Sequence, residues 1–167
     1  MGITTEQIKA LRDLTGAGIM DSKKALEEAG GDIERAESLL KAKGIEKLAS
    51  KSHRETSEGL IESYVHSGSR IGALVEVNCE TDFVSRTPEF KDLAHNLSMQ
   101  VAAMAPLYTD KSELPADDTS NPEEVCLLQQ PFIRDNSKTI QDIVTEVAAK
   151  VGENVRIKRF ARFALGE

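Results

Sequence analysis

The chain has 167 residues, 40% of them hydrophobic and 29% charged, and its formal net charge is −7. This length suits one ordinary domain with a small appendage, and the composition is typical of a globular, helix-rich protein rather than a disordered one. The acidic balance argues against a nucleic acid as the main partner, because proteins that bind phosphate backbones usually present a basic surface.

Three short helices are predicted in the N-terminal part of the chain. Thr4 or Thr5 can cap the first helix, and Asp32 can cap the third. A bundle this small buries little apolar surface, so we expect a separable unit of low stability. Each helix is predicted to end at a glycine: Gly16, Gly30 and Gly44.

Residues 45–57 are rich in charge and predict a connecting helix or a linker. We therefore expect a domain boundary near residue 54. An N-terminal three-helix domain with its linker would cover residues 1–54, and residues 55–167 would form a second domain.

The apolar pattern changes from helical to alternating at Leu60, which indicates β-structure. Leu60–Val65 and Ile71–Cys79 both alternate, and Ser67-Gly68-Ser69 between them is typical of a turn. These residues predict a β-hairpin that leads directly into the segment Glu80–Val84.

Two longer helices are predicted after the hairpin. Thr87-Pro88 is a strong start signal for the first, whose apolar stripe runs from Phe90 to Met104 and which is predicted to end at Pro106. Residues 106–124 are rich in Pro, Asp, Ser and Asn and predict a loop. The second helix is predicted to run from Ser137 to a stop at Gly152.

The last predicted element is a strand over Asn154–Leu165, where apolar and basic residues alternate. Arg159-Phe160 shifts the phase of this alternation, which is consistent with a β-bulge. The basic residues are open to two interpretations, a nucleic-acid patch or a solvated face, and we favour the solvated face. The order of elements predicts an α+β fold, in which an antiparallel sheet carries helices on one face.

Neither a membrane span nor a disulfide framework is predicted. The apolar runs around Val75 and Leu127 are far shorter than the ~20 residues that cross a bilayer, and the N-terminus lacks a secretory pattern. We therefore expect a cytoplasmic protein without membrane contact. Cys79 and Cys126 lie in apolar stretches and are expected to be buried thiols.

The sequence shows no pattern typical of catalysis. A reaction would need a nucleophile with a base, a carboxylate pair, a metal cluster or a phosphate loop. None occurs at a recognised spacing, and the cysteines and histidines lack C-x-x-C or H-x-x-x-H spacing. Gly16-Ala17-Gly18 is a turn between helices rather than a phosphate loop after a strand. We expect neither an enzyme, nor a metal site, nor a cofactor.

The most unusual segment is Thr81-Asp82-Phe83-Val84, which lies where the strand pattern gives way to a helical one. Two interpretations of it are open. In the more common arrangement, Asp82 caps a turn and Phe83 packs in the core. An exposed Phe83 beside a charge would instead be an anchor for a partner's pocket.

Four stretches of the chain resemble the elongation factor Ts family. Leu11–Leu26 is similar to the N-terminal signature of this family, and Val75–Val84 is similar to its central signature. Gln130–Phe132 and Gly152–Val155 resemble family motifs nearer the C-terminus. The motifs occur in the family's order, and the resemblance runs through most of the chain.

The resemblance implies a guanine-nucleotide exchange factor of protein biosynthesis, which binds elongation factor Tu with GDP, disturbs its Mg²⁺ and phosphate site and promotes GDP release. It also implies an N-terminal domain like the ubiquitin-associated fold, which contacts a helix of the partner's nucleotide-binding domain, and a core domain that carries a wedge. By motif match the wedge residues are Thr81, Asp82, Phe83 and Val84. The matching N-terminal contacts are Arg12, Ile19, Met20 and Lys23.

The chain departs from the family in three places. Ser22 stands where many members carry Cys, and Ile19 where many carry Met. The loop at residues 115–124 is shorter than in relatives of this type, which carry a helical insertion there.

The resemblance also bears on oligomeric state. Longer members have two core subdomains related by an internal repeat, whereas this chain has one hairpin with one wedge, so we expect a homodimer formed through residues 55–167. A rival interpretation is a plain adaptor, in which the helical bundle binds a peptide or ubiquitin-like partner and the core only dimerises.

Overall fold

A computed structural model describes residues 2–167 of the chain. No helix in this part of the chain is both long and apolar enough to cross a membrane. In chain order the elements are α1 (Thr5–Thr15), α2 (Ile19–Glu28), α3 (Ile33–Ala49), β1 (Glu58–Val65), β2 (Ile71–Cys79), α4 (Asp82–Ser85), α5 (Pro88–Met104), α6 (Pro122–Val125), β3 (Pro131–Phe132), β4 (Asp135–Thr139), α7 (Ile140–Val151) and β5 (Arg156–Ala164).

The described residues form two compact units. The first unit runs up to His53 and also includes Ala148–Glu153. The second unit comprises Arg54–Val147 and Asn154–Glu167. That the N-terminal helices fold as a separable domain stays a prediction.

The helices of the first unit begin and end largely where local signals predict. The Thr4 hydroxyl accepts a hydrogen bond from the Gln7 backbone N at 3.2 Å, and the Gln7 side chain accepts one from the Thr4 backbone N at 2.9 Å. Gly16 ends α1 in the left-handed conformation, and Asp32 caps α3. The helices enclose a small core of Leu11, Ala25, Leu26, Ala29 and Ala36.

The prediction that the third helix stops at Gly44 is wrong, because α3 continues to Ala49. A glycine ends a helix when it adopts a left-handed backbone conformation with positive φ. Gly44 does not have a positive φ. Gly44 instead allows a close approach within the first unit, where a Cβ at this position would lie 3.2 Å from the Cβ of Ala149. The first part of the predicted linker is therefore helical.

The main sheet of the second unit is antiparallel, with the strand order β1-β2-β5, and β3 and β4 form a separate two-stranded antiparallel sheet. The predicted hairpin is confirmed, and the His66 backbone N closes its turn on the Ile71 carbonyl at 2.8 Å. One face of β2 buries Ala73, Val75 and Val77, and α5 packs against the sheet. The predicted α+β fold, an antiparallel sheet with helices, is therefore confirmed.

The helix predicted at Thr87-Pro88 is also confirmed. The Thr87 hydroxyl accepts from the Phe90 backbone N at 3.3 Å, and α5 ends at Met104, just before the left-handed Ala105. Its predicted apolar stripe is buried except at the last residue, Met104, which is 41% exposed at the end of the helix. The buried members are Phe90, Leu93, Ala94, Leu97 and Val101.

The second long helix begins later than predicted, at Ile140 instead of Ser137. The Asp135 carboxylate binds both the backbone N and the hydroxyl of Ser137, at 3.1 and 2.6 Å, within β4. Thr139 caps α7 instead, since its hydroxyl accepts from the Asp142 backbone N at 3.1 Å and its own N donates to the Asp142 carboxylate at 2.8 Å. The helix start is thus set by Thr139 and Asp142.

The bulge predicted at Arg159-Phe160 lies one residue earlier. In the register of β2 and β5, Glu76 pairs with Arg159 and Val77 pairs with Ile157. Lys158 is therefore the extra residue on β5.

The region predicted to be a loop, residues 106–124, contains a 3-10 turn at Lys111–Glu113 and most of α6. The segment after this region is hydrogen-bonded to α5 through two fully buried side chains, Gln100 and Gln130. The Gln100 amide nitrogen donates to the Gln130 side-chain oxygen at 3.2 Å, and the Gln130 amide nitrogen donates to the Glu124 carbonyl at 2.7 Å. Both buried amides are thereby hydrogen-bonded, as buried polar groups require.

Gly59→Ala is expected to destabilise the second unit far more than Gly72→Ala, although both replace a glycine of the same hairpin. Gly59 has φ 150°, and a Cβ there would overlap the Val77 carbonyl oxygen and lie 2.8 Å from the Asn78 Cα. At Gly72 the nearest atom to an added Cβ is the Tyr64 carbonyl oxygen, at 3.4 Å. In denaturant unfolding we expect a loss of about 2–3 kcal/mol or more for Gly59→Ala and less than about 1 kcal/mol for Gly72→Ala. Equal losses would contradict the backbone described at the start of β1.

Candidate functional site

The segment between β2 and α5 forms the one-turn helix α4, which carries three of the four predicted wedge residues. Thr81 precedes it in an extended N-cap conformation, φ −131° and ψ 155°, without a side-chain capping bond. The Cys79 thiol donates to the Thr81 carbonyl at 3.1 Å. The chain thus turns sharply from the sheet into a single helical turn, whose side chains point in different directions.

Phe83 and Val84 are neighbours in α4 but lie in opposite environments. Val84 and Ser85 are buried, whereas 79% of Phe83 is exposed. The interpretation of Phe83 as a core ring is therefore wrong. An aromatic ring exposed to water contributes little to the stability of the free protein, and its burial by a partner would be favourable.

Asp82 is the first residue of α4, and its carboxylate pairs with Arg86 one turn later. The Asp82 Oδ2 lies 2.8 Å from the Arg86 Nη2. Because Arg86 is exposed and Asp82 is about half-exposed, such a pair is worth only about 0.3–0.5 kcal/mol. The pair nevertheless places an acid and a guanidinium beside the exposed ring. Sequence reasoning missed Arg86, although the spacing of acid and base by four residues was a usable signal.

Two hydroxyl groups hold the far end of α4. The Ser85 Oγ donates to the Asp82 carbonyl at 2.8 Å, and the Thr87 Oγ1 donates to the Val84 carbonyl at 2.7 Å. The Val84 carbonyl also accepts from the Thr87 backbone N at 3.0 Å, so these side-chain bonds add to the few backbone bonds that a single turn makes. The same Thr87 hydroxyl also caps α5, so the end of α4 is joined to the start of the longer helix.

The predicted N-terminal contacts lie on the surface of the first unit. Ile19 and Met20 open α2 with 57% and 63% of their surfaces exposed, and Arg12 and Lys23 are also exposed. Leu14, an apolar position of the predicted first helix, lies at the end of α1 and is also exposed, although it was not among the predicted contacts. These residues belong to the first unit and the wedge residues to the second.

The shifts in the pKa values of titratable groups have local structural causes. Burial raises the pKa of the Cys126 thiol, so this thiol is protonated at neutral pH and is a poor nucleophile. Hydrogen bonds from Ser112 lower the pKa of Asp110, and bonds from Ser120 lower the pKa of Asp118.

Cys79 and Cys126 are buried free thiols, as expected. Within residues 2–167, no group of three or more His, Cys, Asp or Glu side chains is placed to hold a metal ion.

Besides Phe83, the second unit has an exposed apolar surface on the sheet, on the side opposite the buried face of β2. Phe163 is 71% exposed there, and the Glu76 carboxylate pairs with the Arg159 Nε at 2.7 Å on the same side. The alternation of the strands predicts two faces but does not tell which of them is covered. The open sheet face, as we name this surface, carries the apolar side chains of Ile61, Val65, Leu74, Ala161 and Phe163.

The chain is similar to known proteins along its whole length. It matches the family model described as elongation factor TS over residues 9–124 and 119–167. It is 45% identical to elongation factor Ts of Thermotoga petrophila, over 100% of this chain and 98% of the relative. Identity is 44% to the protein of that name from Carboxydothermus hydrogenoformans, over 99% and 90% of the two chains, and 43% to that from an Anaeromyxobacter species, over 99% and 89%.

The comparisons also bear on the loop before β3. The alignments run over 195 positions, more than the 167 residues of this chain, so the relatives contain positions without a counterpart here. The two stretches of the family match overlap at residues 119–124. This is the loop that we expect to be shortened.

Phe83→Ala is expected to leave the thermal stability almost unchanged, in contrast to Phe90→Ala. Phe90 is completely buried in α5, and its truncation is expected to cost about 3–5 kcal/mol, whereas the exposed Phe83 should cost less than about 1 kcal/mol. Thermal melts of the two variants and the parent chain measure the difference. A large drop in melting temperature for Phe83→Ala would contradict the exposed position of the ring.

Proposed function

The chain belongs to the elongation factor Ts family, and we propose that it binds elongation factor Tu in its GDP-bound form and promotes GDP release with Asp82 and Phe83 as a wedge. The observation that carries the proposal is the exposure of Phe83 on a turn in which the next two residues, Val84 and Ser85, are buried. Thr81 and Val84 shape that turn. A ring held in water by a fixed backbone is suited to enter a pocket without rearrangement of its own protein.

The partner's Mg²⁺ site provides a physical target for such a wedge. Mg²⁺ demands near-ideal octahedral geometry and links the phosphates of a nucleotide to the surrounding protein segments. A small displacement of those segments therefore weakens several bonds to the nucleotide together. In this mechanism neither Phe83 nor Asp82 needs to touch GDP.

Thermodynamic linkage sets how the two ligands of elongation factor Tu compete. If the factor weakens GDP binding by ~10³-fold, about 4 kcal/mol, then GDP weakens binding of the factor by the same amount. The complex of all three components is then a short-lived intermediate on the way to GDP release. In this role the chain breaks no covalent bond and uses no cofactor, and we place it in the cytoplasm with its partner.

We further propose a second contact through the first unit. Its three helices would form a ubiquitin-associated-like domain that binds a helix of the partner's nucleotide-binding domain. The supporting observation is the exposure of Ile19 and Met20 and of the basic residues Arg12 and Lys23. Leu14 would extend the apolar part of this contact. Such a contact adds affinity and orients the wedge, since two linked contacts raise the effective concentration of each.

The open sheet face supports the proposal of a homodimer. Sheets pack face to face through apolar inner surfaces, and a self-complementary face suits a two-fold symmetric pair. Glu76 and Arg159 neutralise each other on this face, so the pair would not bring an uncompensated charge into the interface. A second copy is therefore the occupant that we propose for the open sheet face.

A plain adaptor is the rival function. It would bind a partner through its helices and leave the rate of GDP release unchanged. No direct contact with nucleic acid or membrane is required in either case.

Phe83→Ala is expected to lower the rate of GDP release from elongation factor Tu at least ~10-fold, because a buried aromatic anchor typically contributes about 2 kcal/mol or more to an interface. Asp82→Ala should have a milder, few-fold effect, since water can partly replace its carboxylate. Stopped-flow dissociation of fluorescent GDP measures both rates.

Leu107→Ala is the matched control for this experiment, because Leu107 is a similarly exposed apolar residue of the second unit. It should keep the full rate. A Phe83→Ala protein as active as the control would refute the wedge assignment, and a parent chain that does not accelerate GDP release would favour the adaptor.

Phe163→Arg is expected to convert the dimer into monomers, because it places an unpaired charge on the apolar face that would be buried between the two copies. Light scattering at micromolar concentration should give twice the chain mass for the parent protein and the single chain mass for the variant. Leu107→Arg should remain dimeric. A monomeric parent protein, or a dimeric Phe163→Arg variant, would contradict the proposed role of the open sheet face.

A further inference from the structure

The carboxylate of Glu80 lies at the base of α4 and is largely removed from water. Only 13% of its side chain is exposed. Its Oε2 lies 3.1 Å from the Arg54 Nη1, and its Oε1 accepts from the Asn154 backbone N at 2.8 Å. The Asn154 Nδ2 in turn donates to the Arg54 carbonyl at 3.3 Å. We name these three residues the Glu80 cluster.

The Glu80 cluster joins three segments of the second unit. Glu80 follows β2, Arg54 lies in the segment before β1, and Asn154 lies just before β5. A carboxylate in such a place needs charged or hydrogen-bonding partners, and charge-assisted bonds are both strong and directional. The cluster therefore fixes the backbone at Glu80 more tightly than an apolar contact would.

This fixed point lies immediately before the segment that most needs external support. α4 has a single turn, which is not stable on its own, and Thr81 supplies no side-chain cap. The Thr87 bond to the Val84 carbonyl holds the end of α4. The start of α4 has no equivalent side-chain cap of its own, and Glu80 is only three residues from Phe83.

We infer that Glu80 is a positioning residue for GDP release, which fixes through Arg54 and Asn154 the direction in which α4 presents Phe83. The inference rests on the proposed function of the wedge. It also gives a structural role to Asn154, which is part of the Gly152–Val155 motif. A shift of about 1 Å in a positioned group can lower a rate by up to ~100-fold.

Glu80→Gln tests the inference with little change in side-chain size. The variant keeps an oxygen that can accept from the Asn154 backbone N and removes the charge that faces Arg54. We expect the saturating rate of GDP release from elongation factor Tu to fall about 10-fold, with the half-saturating concentration and the melting temperature almost unchanged. Glu146→Gln is the matched control, because it removes another partly buried carboxylate of the second unit, paired with Lys138 at 2.8 Å.

A double variant separates positioning from general structural support. If Glu80 acts through Phe83, then adding Glu80→Gln to Phe83→Ala should lower the rate no further than Phe83→Ala alone. Arg54→Ala gives an independent variant should Glu80→Gln fail to fold, since Arg54 is half-exposed and Glu80 keeps its bond to Asn154. Arg54→Lys should restore part of the rate.

The outcomes distinguish failure of the proposed function from failure of the positioning role. If the parent chain does not accelerate GDP release, the proposed function and this inference both fail. If the parent chain is active but the Glu80→Gln and Arg54→Ala variants keep its saturating rate, the positioning role is wrong and the wedge stands. An equal fall in the parent and Phe83→Ala backgrounds, or a fall matched by Glu146→Gln, also overturns the positioning role.

Discussion

A single helical turn does not hold its own position in water, because nucleating a helix fixes many dihedral angles for few hydrogen bonds. α4 is such a turn, and it holds the ring of Phe83 in solvent while Val84 beside it is buried. The position of the ring therefore depends on the elements on both sides. The strand before it, the helix after it and the buried Val84 act together as the support.

The two exposed apolar surfaces of the second unit have different shapes, and this difference underlies their proposed roles. Phe83 is one ring on a sharp turn, which suits a pocket in a partner. The open sheet face is a surface of three strands, which suits another sheet. α5 covers only one side of the sheet, so a second copy would complete the burial that the chain itself begins.

Sequence patterns predicted the elements that local chemistry specifies. Thr87-Pro88 and the turn at Ser67–Ser69 carry their own signals, so the helix start and the hairpin were predicted correctly. Gly44 was misread as a helix stop because its role depends on Ala149, far away in the chain. The choice of Ser137 over Thr139 missed a local signal, since Asp142 stands three residues after Thr139 and completes a capping pair.

The candidate site was only partly predictable. The resemblance pointed to Asp82 and Phe83, but the residue pattern alone left the core and surface interpretations of the ring open. The Glu80 cluster was beyond the reach of sequence patterns, because Arg54 is 26 residues from Glu80 and Asn154 is 74 residues from it. Such partners meet only through the tertiary fold.

The central claim is that Phe83 is the group that enters elongation factor Tu, and photo-crosslinking tests it most directly. p-Benzoylphenylalanine would replace Phe83 in one sample and Phe163 in another, each irradiated with elongation factor Tu and GDP. We expect position 83 to crosslink to the nucleotide-binding domain of elongation factor Tu and position 163 to crosslink to a second copy of this chain. A probe at position 83 that leaves elongation factor Tu unlabelled, while the probe at position 163 labels it, would contradict the account.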